Sequence, residues 1–255
     1  MSVQLSSIAI VTPTHKDDFD FFEILRLKTT LSTLETAPHF FLLPQSLDDC
    51  RLKQIFPNSE IVRMPDWFFK SVNHYNVLML QEALYNNFLL FEFILLCQTD
   101  SFVIGDINPL FSFDYFGASW KSDYRLTEIF GQIFVNRPNW LIGKNTTVSA
   151  GNGGLSVRNV NRMIEMVAFG KTKPYWPTFE KIEGRKLNED VIFSFLGTQR
   201  SLKIPTREVA DSYFVETKLF NPYELNGIVG FHALEKYQPG IERHVFEALE
   251  IDFPR

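Results

Sequence analysis

A chain of 255 residues has the length of one α/β domain, or of one domain with a small subdomain. Its 45% hydrophobic and 22% charged residues are ordinary for a globular protein and exclude a disordered chain. The balance of 25 basic against 30 acidic residues, net −5 with no long basic run, argues against a nucleic-acid partner.

Ile8-Ala9-Ile10-Val11 reads as a buried parallel strand that stops at Thr12-Pro13-Thr14. Ile24, Leu27, Leu31 and Leu34 recur at helical spacing, with Asp17 or Asp18 as the predicted cap. Phe40 to Leu43 is a second strand halted before Pro44, Leu47 to Phe56 a short helix, and Ile61 to Met64 a third strand ended by Pro65. One longer helix is predicted from Ser71, with Val77, Leu80, Leu84 and Phe88 on a single face. Phe91 to Cys97 is the most apolar strand and ends at Gln98-Thr99-Asp100. Strands alternating with helices predict a mainly parallel sheet with right-handed crossovers. Ligands then bind beyond the carboxyl ends of the strands, so Thr12 to Thr14 and Gln98 to Asp100 share one edge.

After Asp106 the pattern loosens. Asp106 to Tyr124 reads as loop, and Tyr124 to Ser149 as an insertion or lid. Gly151-Asn152-Gly153-Gly154 precedes a small strand at Leu155 to Val157. Val160, Ile164 and Val167 mark a helix closed by Gly170, and Asn188-Glu189-Asp190 opens another ended by Gly197. Val209 to Val215 reads as a strand, Gly230-Phe231-His232 as a loop, and the chain closes on an amphipathic helix. The 26 phenylalanines imply an aromatic core, an aromatic-lined cleft, or both. Neither Cys50 nor Cys97 joins a metal-ligating cluster, and this usage fits a reducing compartment. The first seven residues show no leader pattern, and the longest apolar run is too short to span a bilayer, so the expected location is cytoplasmic.

Four features can carry chemistry. Asp100, just past a buried strand, is an expensive place for a charge unless a partner such as a diphosphate-bound cation meets it; otherwise it caps a turn. The three glycines at 151, 153 and 154 let backbone approach a ligand closely, or simply make a turn, and they match neither GxGxxG nor GxxxxGK[ST]. Glu189 and Asp190 complement a helix N-terminus, where an ionised carboxylate can also deprotonate a hydroxyl. His232 is a satisfied polar residue or a metal ligand.

The order of the runs IVTPTHK, CQTDSFVI, DYFGASW, GNGGLSVRN, NEDVIFSF and GFHAL, from Ile8 to Ala233, resembles a group of bacterial GT-A-like glycosyltransferases. The resemblance implies a single α/β, Rossmann-like GT-A domain, with a nucleotide-binding half over residues 1–105 and an acceptor and catalytic half over residues 106–255. Thr12 and Thr14 would lie near the base or ribose. Asp100 would be the last acid of a DxD metal motif, with Gln98 standing where the first acid would be and Thr99 between them. His232 would complete the site for a divalent cation, Mn²⁺ or Mg²⁺. Asn152, Gly153 and Gly154 would line the donor-sugar or acceptor pocket, and Trp120 would wall the cleft. Asp190 would be the base of an inverting transfer, assisted by Glu189; a retaining course stays open if Asp190 lies away from the acceptor.

The implied partners are a nucleotide-sugar donor, with a UDP-sugar favoured, and a glycan or lipid-linked acceptor in bacterial surface polysaccharide synthesis. A lipid-linked acceptor would bring the enzyme peripherally to the inner membrane face. The competing readings are a sugar-nucleotide hydrolase or nucleotidyltransferase, and a non-catalytic carbohydrate- or nucleotide-binding module. Fold alone does not choose among them.

Overall fold

The computed structural model describes residues 7–136, 143–184 and 187–251. The first half of the chain runs β1 (Ile8–Pro13), α1 (Phe21–Thr33), β2 (His39–Pro44), α2 (Cys50–Ile55), β3 (Glu60–Met64), α3 (Val72–Met79), α4 (Glu82–Asn86), β4 (Phe93–Cys97) and β5 (Ser101–Val103). The second half runs β6 (Tyr115–Gly117), β7 (Ser119–Ile129), β8 (Gln132–Val135), β9 (Lys144–Ala150), β10 (Leu155–Asn159), α5 (Val160–Lys171), α6 (Trp176–Phe179), α7 (Glu189–Gln199), α8 (Arg207–Tyr213), β11 (Phe214–Val215), β12 (Gly230–His232), α9 (Leu234–Tyr237) and α10 (Ile241–Ala248).

The result is a mixed α/β domain built on a central six-stranded sheet in the order β3-β2-β1-β4-β10-β6. Strands β3, β2, β1 and β4 are mutually parallel, as their apolar runs predict. The sheet is mainly parallel, as expected from the sequence, but not purely so: β10 runs antiparallel to both β4 and β6. The reason is local. The glycine turn brings the chain to the sheet where β4 ends, with Leu155 opposite Cys97 and the Gln98 amide donating to the Gly154 carbonyl at 2.9 Å. From there β10 can only run back.

Alternation along the strands covers both faces. Ala9, Val11, Ile94 and Leu96 bury against α3, α4, α5 and α7. Ile8, Ile10, Leu95 and Cys97 pack beneath Leu34 and Leu110, while Phe41 and Leu43 meet Leu27 of α1 and Leu52 of α2. Burying each such aliphatic or aromatic side chain contributes about 1.5–3 kcal/mol. Two smaller sheets flank this core. Strands β8, β7 and β9 form an antiparallel sheet over the segment read as an insertion, part of which lies outside the described residues. Strands β11, β12 and β5 form the other.

Several boundaries differ from expectation for identifiable reasons. Asp20, not Asp17 or Asp18, caps α1, because Glu23 closes a reciprocal capping box with it. The single helix expected after Ser71 breaks between α3 and α4. At the break the Gln81 side-chain Nε2 and the Tyr85 hydroxyl donate to the carbonyls of Val77 and Met79. Val209 to Val215 is largely helix, since the Thr206 hydroxyl caps α8 and only Phe214–Val215 is extended. Gly230–His232 is a strand rather than a loop. Within Asp106 to Tyr124 the chain forms a 3₁₀ turn at Asn108–Ser112, then β6 and the start of β7.

Among the described residues no helix is long and apolar enough to cross a membrane. The small β11-β12-β5 sheet is held from outside by α10. Phe246 stacks on Phe102 at 4.9 Å, and the buried Glu242 takes a two-point ion pair from Arg26 of α1 at 2.6 and 2.8 Å. Arg26 also donates to the Thr99 carbonyl at 3.1 Å. Arg26→Ala strands a buried carboxylate and is expected to cost about 3 kcal/mol by urea denaturation. The Arg26→Met/Glu242→Met pair should recover most of it. A single-variant loss well under 1 kcal/mol would show the pair to be dispensable.

Candidate functional site

A cavity of about 820 Å³ opens beyond the carboxyl ends of β1 and β4. One wall carries Thr14 after β1 and Gln98, Thr99 and Asp100 after β4. A second is the Asn152-Gly153-Gly154 turn that feeds β10, and a third the first turn of α7 with Glu189 and Asp190. Trp120 of β7 and His232 at the end of β12 close it. Thr12 is not on this surface: it is buried, with its hydroxyl 3.0 Å from Nε2 of His39. Burial pulls the His39 imidazole down to about 3, so it packs there as a neutral ring.

Asp190 is buried, yet it faces the cavity. Its Oδ2 accepts from Trp120 Nε1 at 3.1 Å and from the Gly153 amide at 3.3 Å; its Oδ1 accepts from the Val191 amide at 2.7 Å. Burial first, and the Glu189 charge second, outweigh these three donors and push its carboxyl up to about 7. Trp120 thus does more than wall the cleft, because its indole N–H fixes one oxygen of this acid.

Glu189 is positioned by different contacts. Its backbone amide donates to Oδ1 of Asn76 at 2.6 Å, and its Oε1 accepts from Arg158 Nη2 at 3.1 Å. Arg158 is fully buried on β10 and lies 5.2 Å over the Tyr115 ring. It donates further to Ser156 Oγ at 2.9 Å and to the Tyr85 hydroxyl at 3.1 Å. Its guanidinium balances the acid of the adjacent helix turn. The glycine turn is shaped by this packing. A Cβ on Gly153 would collide with Glu189 Oε1, and one on Gly154 with the His232 ring. The Asn152 side chain stabilises the turn by accepting from the Gly154 amide at 2.9 Å.

The opposite end of the cavity holds a row of three groups. His232 Nε2 lies 3.6 Å from Asp100 Oδ1, and Nδ1 lies 3.5 Å from Glu216 Oε1. Burial pulls this imidazole down, but the facing carboxylates of Glu216 and Asp100 outweigh it and hold it above its ordinary value. Asp100 is half exposed at the cavity surface, whereas Glu216 is 5% exposed. One carboxylate oxygen and one imidazole nitrogen suit a cation such as Mn²⁺. Among the described residues no group of three or more His, Cys, Asp or Glu is set to hold a metal ion. The donor set therefore fits a cation shared with a ligand's oxygens, and does not fit one held by protein side chains alone.

Sequence reasoning did not find Arg158, Asn76 or Glu216. The argument applied to Asp100, that a charge beside a buried strand needs a partner, applies equally to the arginine inside Leu155-Ser156-Val157-Arg158. Asn76 and Glu216 carry no comparable local signal.

Residues 58–232 match the model of a family described as "Protein of unknown function (DUF5672)", which is well over half of the chain. The chain belongs to this family. The match takes in Gln98, Asp100, Trp120, the glycine turn, Glu189, Asp190, Glu216 and His232, and leaves out Thr12 and Thr14. No curated protein matches the chain.

The raised Asp190 carboxyl has a consequence for stability. Its unfolded value is the ordinary 3.8 and its folded value about 7, so folding takes up a proton between those limits. This contribution is fully present below about pH 4 and is lost as pH rises through about 7. Asp190→Asn should therefore gain stability over the parent on going from pH 5 to pH 8, on the order of 3 kcal/mol. Denaturation midpoints at the two pH values measure it, and a pH-independent difference would refute the assignment.

Proposed function

We propose that this protein is a glycosyltransferase of GT-A type, which moves a sugar from a nucleoside-diphosphate sugar to a hydroxyl of an acceptor. The observation that carries the reading is Asp190: a buried carboxyl at a cavity wall, poised near neutrality and held by three donors. A base with that poise is matched to removing a proton from a hydroxyl at physiological pH. The cavity's place beyond the parallel strands, and the resemblance of the ordered motifs, support a nucleotide-sugar as the ligand.

In this reading the acceptor hydroxyl gives its proton to Asp190 as its oxygen attacks the anomeric carbon. The bond from that carbon to the diphosphate breaks, and the nucleoside diphosphate leaves with the electron pair. Attack opposite the leaving group inverts the anomeric centre. Glu189, tied to Arg158, holds the helix turn that carries the base and keeps its pKa high. Asp100 and His232 would hold a divalent cation, which when bound neutralises charge on the diphosphate. Gln98, in place of a first acid, offers hydrogen bonds to ribose or phosphate instead of a second negative charge. The finer expectations of a UDP-sugar donor, a glycan or lipid-linked acceptor and a cytoplasmic or inner-face location belong to this same reading.

Calorimetric titration with a panel of nucleoside diphosphates, with and without Mn²⁺, tests it. One nucleotide, UDP by expectation, should bind in a metal-dependent way. A folded sample that binds none would overturn the reading in favour of a non-catalytic carbohydrate module. Once a donor is known, Asp190→Asn should lower turnover by about 10²–10⁴-fold and leave donor affinity within a few-fold. The parent rate should rise with pH through about 7 as Asp190 ionises. Unchanged turnover in the variant would remove Asp190 from the chemistry, and free sugar as the product would make the enzyme a hydrolase.

A further inference from the structure

The row of groups at the end of the cavity opposite Asp190 is set by strand register. Strand β11 pairs in parallel with β12, Val215 beside Phe231, so the next residue of each strand places Glu216 beside His232. Strand β12 pairs antiparallel with β5, His232 opposite Ser101, which sets the imidazole next to Asp100. The backbone of three short strands thus lines up acid, imidazole and acid. Gly154 leaves room for the ring, which any Cβ at that position would strike.

Inside the row, two buried polar atoms lack a hydrogen-bond partner of good geometry: His232 Nδ1 and Glu216 Oε2. A buried polar group left unpaired is destabilising, so each calls for a partner. Nδ1 faces Oε1 of the same Glu216 at 3.5 Å, and closing that gap by about 0.6 Å makes an ordinary N–H···O bond. Glu216 is not suited to be a further ligand of a cation held by Asp100. It meets Nδ1 while Asp100 meets Nε2, on the other side of the ring.

We propose that Glu216 is a positioning residue: its carboxylate accepts the Nδ1–H of His232 and leaves Nε2 as the bare nitrogen facing Asp100 and the cavity. In a neutral imidazole the hydrogen bond made by one nitrogen decides which nitrogen keeps the lone pair. A carboxylate behind a histidine fixes tautomer and ring orientation and makes the facing nitrogen a better donor to a cation. The tautomer follows from Glu216 alone; its use in cation binding rests on the reading proposed above.

Long-range ¹⁵N–¹H correlation spectra of the full chain at about pH 9, above the ordinary imidazole range, decide the first point. A His232→Gln variant assigns the His232 signals among the five histidines. The parent should show a protonated Nδ1 and a bare Nε2. Glu216→Met, which removes the acceptor, should shift His232 to the Nε2–H form favoured by imidazole in water. Glu216→Gln keeps a carbonyl acceptor and should retain the parent tautomer. An Nε2–H ring in the parent overturns the proposal even if Glu216→Met does not fold, and so does an unchanged ring in a folded Glu216→Met. In a second arm, Mn²⁺ affinity in the presence of UDP is read by electron paramagnetic resonance, and Glu216→Met should weaken it about 10–100-fold. If the parent binds no Mn²⁺ but shows the expected tautomer, the cation reading fails and the positioning role of Glu216 stands.

Discussion

The guanidinium of Arg158 is the contact on which the candidate site depends. It is a fully buried charge in the middle of a strand, and nothing short of a matching acid and several acceptors makes that tolerable. Meeting that demand draws four elements together. The glycine turn bends so that its Gly153 carbonyl lies 3.4 Å from Arg158, the first turn of α7 brings Glu189, α4 brings the Tyr85 hydroxyl, and β6 brings the Tyr115 ring. Asp190 follows Glu189 directly in the chain, so its position at the cavity wall is a by-product of the same pairing. The high proton affinity of Asp190 comes first from its own burial in this packing and second from the charge of Glu189 beside it.

The two ends of the cavity are built on different supports. The Asp190 end stands on the central sheet and its helices, with long strands and a dense aromatic core. The Asp100–His232–Glu216 end stands on strands of two and three residues that could not persist alone. Their order comes from the aromatic cluster of Phe102, Phe231 and Phe246 and from the Arg26–Glu242 pair. Part of the phenylalanine excess seen in the sequence is thus spent on giving rigidity to a small sheet that carries polar groups.

Much of the central sheet was legible in advance. The runs at Ile8, Phe40 and Phe93 are apolar on both faces, a pattern that buried parallel strands produce and amphipathic helices do not, while the Ile61 run, with Arg63, is the edge strand. Asp100 and Asp190 stood out because each sits at the end of a regular element, His232 stood out in a stretch read as a loop, and the structure brings all three to one cavity. The antiparallel course of β10 was not legible, since its direction depends on where the glycine turn meets the sheet. Nor was the helix at Arg207–Tyr213, where Val209 and Tyr213, four apart, share a face in a strand as well as in a helix. Glu216 was hidden for a stronger reason: its neighbour in space lies sixteen positions along the chain, joined only by the two-residue pairing of β11 with β12.

The stretch that matches the family begins at residue 58 and stops at His232. Strand β1, which lies against β4 in the middle of the sheet, and α10, which braces the small sheet, both fall beyond it. Cut at the borders of the match, the domain would lose β1, β2 and α1, and with them the strand paired to β4 and the cover that Leu34 gives Leu95 and Cys97. The matched stretch holds most of the cavity rim together with β4 and β10, while β1 and α10, which keep that rim in shape, lie outside it.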